Sequence, residues 1–186
     1  KYLQFSDGTE ISCHALLIAT GVTNRRLDMP GVEELTGAGI YYGATLSEAA
    51  FYSDQEVYLV GGANSAGQAA VHFARYAKRV TMLVRGSSLE KGMSQYLVDQ
   101  ISQIDNIRVL IRTGVIEAHG DQKLDKLTIE NQDSQTKETV DAAALFLFIG
   151  AVPHTKLVED VVLRNSAGFV MTGQDLMDRP DFTKIW

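Results

Sequence analysis

The 186-residue chain carries 23 acidic against 17 basic side chains, a formal charge of −6, with 45% hydrophobic and 22% charged residues. This is the balance of a globular protein long enough for one or two cores, and it lacks the basic excess that broad nucleic-acid binding needs. No apolar run reaches the roughly 20 residues of a bilayer span and the start has no signal-peptide core, so the expectation is a cytoplasmic protein with no membrane and no nucleic-acid partner.

Residues 2–6 and 10–18 read as two strands around Ser6-Asp7-Gly8, a hairpin signal, the second stopping at Ala19-Thr20-Gly21. A polar linker, VTNRRLDMPGVEEL, follows, with Pro30-Gly31 as its turn. Residues 47–52 fit a short helix, and Val57 to Val60 a short buried strand leading straight into Gly61-Gly62-Ala63-Asn64-Ser65. From Ser65 to Lys78 the spacing predicts a helix, with Ala66, Ala69, Ala70, Phe73, Ala74 and Ala77 on one face. Val80 to Val84 is the next strand. Strand, glycine loop, small-residue helix and strand make a right-handed βαβ unit on a parallel sheet.

A second helix is expected over 94–104. Residues 107–142 alternate, with polar turns at Gly120-Asp121-Gln122 and Asn131-Gln132-Asp133, and predict an antiparallel meander inserted before a final parallel strand, Ala144 to Ile149. Asp178 to Trp186 trails off without an element, and both ends read as cut from a longer chain. The one cysteine, Cys13, makes neither an internal disulfide nor a multi-cysteine metal site. In its apolar strand pattern it reads as a small buried hydrophobe.

A dinucleotide site needs a tight turn that aims backbone N–H groups and a helix N-terminus at pyrophosphate. Gly61, Gly62, Ala63, Asn64, Ser65 and Ala66 stand in the place for it. Where the pattern G-x-G-x-x-G/A has its second glycine, this chain has Ala63, the smallest departure; Asn64 and Ser65 offer polar contacts. An NAD site ends its second strand in Asp or Glu, which binds the ribose hydroxyls. Here that strand ends in Arg85-Gly86-Ser87-Ser88, and a guanidinium followed by hydroxyls suits the extra phosphate of NADP. Lys91 adds charge nearby. The bland alternative is a ligand-free glycine turn with a solvated arginine.

Together these residues resemble the low-molecular-weight thioredoxin reductases, within the FAD- and NAD(P)-dependent pyridine nucleotide-disulfide oxidoreductase class. LLIATG (16–21) resembles the end of that family's flavin-domain strand, and VGGANSA (60–66) its NADPH loop. LFIGAVPHT (147–155) resembles the return segment, with His154 where Asn is usual, and GFVMTG (168–173) the strand re-entering the flavin domain. The resemblance implies a Rossmann-like, three-layer α/β NADPH-binding domain over 26–150, inserted between two pieces of an FAD-binding domain, 1–25 and 151–186. It adds FAD to NADP as a cofactor, and adds Ala19, Thr20, Gly21 and Gly150 to the cofactor-binding residues. The family's first flavin fingerprint and its Gly-Asp flavin motif are expected outside residues 1–186, leaving the isolated piece inactive.

Two departures matter. The family's phosphate motif has two adjacent arginines and a third shortly after; the matching positions are Arg85, Gly86 and Glu90. Where the family has its Cys-Ala-Thr-Cys dithiol, this chain has Gly43-Ala44-Thr45-Leu46, and neither Gly43 nor Leu46 can supply a thiolate. The implied enzyme passes hydride from NADPH to FAD and delivers electrons to an acceptor not reached through an internal dithiol: a ferredoxin-type carrier, a quinone, a small disulfide or oxygen. Related chains without the dithiol include thioredoxin-reductase-like ferredoxin–NADP reductases, and YYGATLSEA is also similar to relatives fused to a cyclic-nucleotide-binding domain. A homodimer stays open. The alternative is a degenerate nucleotide-binding or regulatory module without catalysis. A short-chain dehydrogenase is excluded, since no tyrosine starts a Tyr-x-x-x-Lys pair. None of His14, His72, His119 and His154 is assigned as an acid or base.

Overall fold

The computed structural model describes residues 2–43 and 48–182. In chain order the first strands are β1 (Tyr2–Gln4), β2 (Glu10–Ser12), β3 (Val22–Asn24), β4 (Ile40–Tyr42) and β5 (Glu56–Val60). Helix α1 (Asn64–Phe73), β6 (Arg79–Val84) and α2 (Gln95–Ser102) follow, then β7 (Ile107–Ile111), β8 (Thr113–Gly120), β9 (Leu124–Asn131) and β10 (Lys137–Asp141). The chain ends with β11 (Ala144–Leu147), β12 (Ala151–Pro153) and α3 (Gly173–Met177). It divides into two compact units, Lys1–Asn24 with Ala151–Trp186, and Arg25–Gly150.

The Arg25–Gly150 unit is built on a parallel sheet in the order β4-β11-β5-β6-β7. Strand residues alternate between its two faces. Val57, Leu59, Val80, Met82, Ala144 and Phe146 point to one side, where Ala66, Ala70 and Phe73 of α1 and Leu97 and Ile101 of α2 close a core. Tyr58, Val60, Leu83, Leu145 and Leu147 point to the other, against Val115, Leu127 and Ile129 of the antiparallel sheet β8-β9-β10. Three layers result. A sheet covered on both faces explains why its strands read as unbroken apolar runs. Among the described residues no helix is long and apolar enough to cross a membrane.

Several elements differ from expectation. Residues 107–111 join the parallel sheet beside β6 instead of opening the meander. The predicted helix to Lys78 closes at Phe73, and Ala74 to Ala77 turn back through 3₁₀-type bonds such as Tyr76 N–H to Phe73 O. The run to Ile149 leaves the sheet after Leu147. Tyr52 closes a four-residue 3₁₀ turn, Ala49–Tyr52.

In the other unit β1 and β2 form the expected hairpin, shortened to three paired residues each. Residues 13–18 are not a strand: an extended run becomes one only where a neighbour takes up its N–H and C=O groups, and Leu17 is 88% exposed. The supposed polar linker begins with β3, which pairs antiparallel with β12, Val22 opposite Pro153. His154 N–H donates to the Gly21 carbonyl (3.0 Å), and its Nε2 shares a 2.8 Å hydrogen bond with Thr23 Oγ1. Cys13 is half-buried.

Candidate functional site

The turn after β5 is shaped by close approaches rather than by space. Gly61 adopts φ +146°, and a Cβ there would stand 2.7 Å from the Phe148 carbonyl oxygen and 3.1 Å from Ala66 Cβ. Gly62 faces Val84 of β6, whose Cγ1 would be 2.8 Å from an added Cβ. Ala63 is different: at φ −106°, ψ 178° it is extended backbone open to any residue, so alanine is unstrained where a glycine is usual. Its carbonyl accepts the Gly67 N–H (3.1 Å) and starts α1.

The first turn of α1 therefore presents N–H groups that no helix can satisfy from within. Among the described residues no side chain caps α1, and its first turn contains no acidic residue. Ala63, Asn64 and Ser65 are exposed, while Ala66 is fully buried beneath the turn. Gly67 lies beneath the end of Met93: an added Cβ would meet Met93 Cε at 2.7 Å, so the flexible methionine would have to shift, and Ile101 Cδ1 at 3.4 Å.

Beside this turn β6 ends, and Arg85 and Gly86 are exposed at its tip. The Gly86 carbonyl accepts the Arg112 N–H at 3.0 Å, and Lys91 Nζ donates to Ser87 Oγ at 3.1 Å. Glu90, at the third arginine position of the resemblance, is held below the usual carboxylate range by its own backbone N–H first and by Ser88 second. Sequence reasoning gave Asn64 a ligand role and missed its partner: Asn64 and Ser94 are joined by two hydrogen bonds. Ser94 directly before a helical pattern is an N-cap signal that marks this end of the loop.

The residues predicted for the site thus fall into two groups. Gly61 to Ala66 and Arg85 to Ser87 come together at the carboxyl ends of β5 and β6, where open α/β sheets bind their ligands. Gly150 closes the same unit, its carbonyl accepting the Arg25 N–H at 3.0 Å. Ala19, Thr20 and Gly21 belong to the other unit and are exposed. A cleft of about 490 Å³ lies at the opposite, amino ends of the strands, lined by Gly39, Tyr41, Tyr52, Glu56 and Asp141 among others. Tyr52 donates its O–H to Tyr41 Oη there (3.0 Å), and burial pushes its phenol pKa up. Among the described residues no helix N-terminus opens onto this cleft, so it lacks the anion-binding end that a dinucleotide needs.

At the dithiol position of the resemblance, Gly43 has φ +82° and extends the β4 ladder by donating its N–H to Leu147 O (3.0 Å). A cysteine would be strained on that backbone. Leu46 lies outside the described residues.

Known proteins are similar to this chain in sequence and fold. The chain is 32% identical over 172 residues to a thioredoxin reductase of Streptomyces clavuligerus, covering 91% of this chain and 52% of that protein. It is 30% identical over 162 residues to a 34.2 kDa protein in the rubredoxin operon of Clostridium pasteurianum, 87% of this chain and 52% of that one. The solved structure of Giardia duodenalis thioredoxin reductase superposes with a TM-score of 0.77 at 26% identity, over 95% of this chain and 55% of that one. The chain spans about half the length of the relatives it matches. Residues 1–183 match the family model of the pyridine nucleotide-disulphide oxidoreductases, and the chain belongs to that family.

Proposed function

We propose that the Arg25–Gly150 unit is the NADPH-binding domain of a flavin-dependent oxidoreductase, and that the Lys1–Asn24 and Ala151–Trp186 unit is part of its FAD-binding domain. The observation that carries the reading is the uncapped, acid-free N-terminus of α1 behind the Gly61-Gly62 turn, with Arg85 at the tip of the adjacent strand. The residues fit the dinucleotide. The glycine turn brings backbone close, the first-turn N–H groups of α1 would hold the pyrophosphate, and Ser65 stands exposed beside them. Arg85 would take the 2′-phosphate, with Ser87 and Lys91 in the same loop. Ala19, Thr20 and Gly21 are the residues proposed for the flavin, and Gly150 is proposed as a cofactor-binding residue of its own unit.

When bound, NADPH would supply a hydride that FAD could accept, and the part of Gly61, Gly62, the first turn of α1 and Arg85 would be to bind and orient the dinucleotide. Electrons then leave without an internal dithiol, as the backbone of Gly43 supports. A small redox protein is the first acceptor class to test, given the relative described from a rubredoxin operon; a quinone, a small disulfide and oxygen are the others.

The test uses the full-length protein with its flavin. Anaerobic NADPH should bleach the flavin band faster than the same concentration of NADH, and thioredoxin should give no turnover above the blank. Flavin that stays oxidised would favour the non-catalytic nucleotide-binding module. Efficient thioredoxin turnover would contradict the missing relay.

A further inference from the structure

The side chain of Asn64 is committed. Its amide N–H donates to Ser94 Oγ at 3.0 Å, and its oxygen accepts the Ser94 backbone N–H at 2.7 Å. These bonds join the first residue of α1 to the N-cap of α2 across thirty positions of chain. Between the end of β6 and this joint hangs the segment Arg85 to Met93. Its far half is pressed onto the glycine turn: a Cβ at Gly92 would stand 3.2 Å from the Gly62 carbonyl oxygen, and Met93 packs on Gly67. Its near half is braced internally by Lys91 on Ser87.

Leu89 and Met93 already bury part of the loop, but without the Asn64 joint its two exposed cations would spread over more conformations. Holding long basic side chains toward one phosphate costs rotamer entropy, and a pre-placed loop reduces that cost. We infer that Asn64 is a positioning residue, pinning the Arg85–Met93 loop to the glycine turn so that Arg85 and Lys91 converge on the 2′-phosphate of the dinucleotide. In this role the amide serves discrimination between NADPH and NADH rather than contact with either. The inference rests on the NADPH reading above.

The residue type follows from the same geometry. An aspartate could accept both the Ser94 N–H and the Ser94 hydroxyl hydrogen and so keep the joint. It would, however, place a negative charge at the positive end of α1, where the pyrophosphate belongs. Asparagine keeps the joint and leaves the first turn uncharged.

The experiment is calorimetric titration of the full-length protein and its variants with NADP⁺ and with NAD⁺. Wild type should favour NADP⁺. Asn64→Ala should reduce that preference about tenfold while changing NAD⁺ affinity by less than about twofold. Ser94→Ala, which retains the backbone half of the joint, should reduce it less. Asn64→Asp should weaken NADP⁺ and NAD⁺ by a similar factor and leave their ratio near the wild-type value. A wild-type preference that survives Asn64→Ala overturns the inference, as does an equal loss for both nucleotides in that variant. A wild type that binds both equally, or neither, overturns the NADPH reading itself.

Discussion

Gly61 is pressed against Phe148: a Cβ on Gly61 would stand 2.7 Å from the Phe148 carbonyl oxygen, while Phe148 N–H donates to Val60 O at 2.8 Å. The turn that presents α1 is thus wedged against the segment leaving the last parallel strand. The obstructing atom is backbone, so no rotamer change relieves it. Gly61 also has a φ that L-residues avoid. Gly61→Ala should cost about 2 kcal/mol in urea unfolding and abolish measurable nucleotide binding. Gly62→Ala, which meets the branched side chain of Val84, should cost less in stability.

Arg85 is exposed and stands where a ribose-binding acid would be in an NAD site. Arg85→Ala should weaken NADPH about tenfold and leave NADH within about twofold, since one charge-assisted contact is lost with one phosphate. Steady-state KM and fluorescence titration both read this. Equal effects on the two nucleotides would remove the phosphate role.

Gly43 holds φ +82° and donates its N–H to Leu147 O. Gly43→Ala should cost about 1 kcal/mol in equilibrium unfolding, because a Cβ is disfavoured there even though no neighbour among the described residues obstructs it. Gly43→Cys should cost a similar amount and confer no thioredoxin turnover.

The β1–β2 hairpin is tied by Asp7, whose carboxylate accepts the Thr9 hydroxyl (2.7 Å) and the Thr9 backbone N–H (2.9 Å). The hydroxyl first, then the backbone bond, holds the Asp7 carboxyl below the ordinary aspartate value. A carboxylate lowered by folding contributes stability that is complete above its unfolded pKa, near 4, and fades as pH falls through the folded value. The protection factors of the hairpin amides, taken against intrinsic exchange at each pH, should therefore be flat near neutrality and fall below about pH 4, a step that Asp7→Asn should lack.

The parts legible in the sequence were those fixed by local chemistry. The strand–glycine–helix–strand unit declared itself because Val57 to Val60 is apolar on both faces and Ala66, Ala70 and Phe73 recur at helical spacing. What escaped depended on distant partners. Ile40–Tyr42 is a three-residue edge strand, recognisable only by its pairing with β11. Ile107–Ile111 alternates like a meander strand yet lies parallel to β6. Leu16 to Ile18 has a strand's composition without a strand's neighbours. At the site, Gly61, Gly62 and Arg85 could be named from spacing, but the commitment of Asn64 to Ser94 could not, because thirty positions of chain, including α1 and β6, separate them.

The central claim is that electrons cross from NADPH to the flavin and leave without an internal dithiol. Anaerobic reductive titration of the full-length flavoprotein tests it most directly, because a flavin accepts two electrons and a redox-active disulfide two more. The account predicts complete bleaching at about one equivalent of NADPH per flavin. A lag until about two equivalents, with thiols appearing in step, would contradict it.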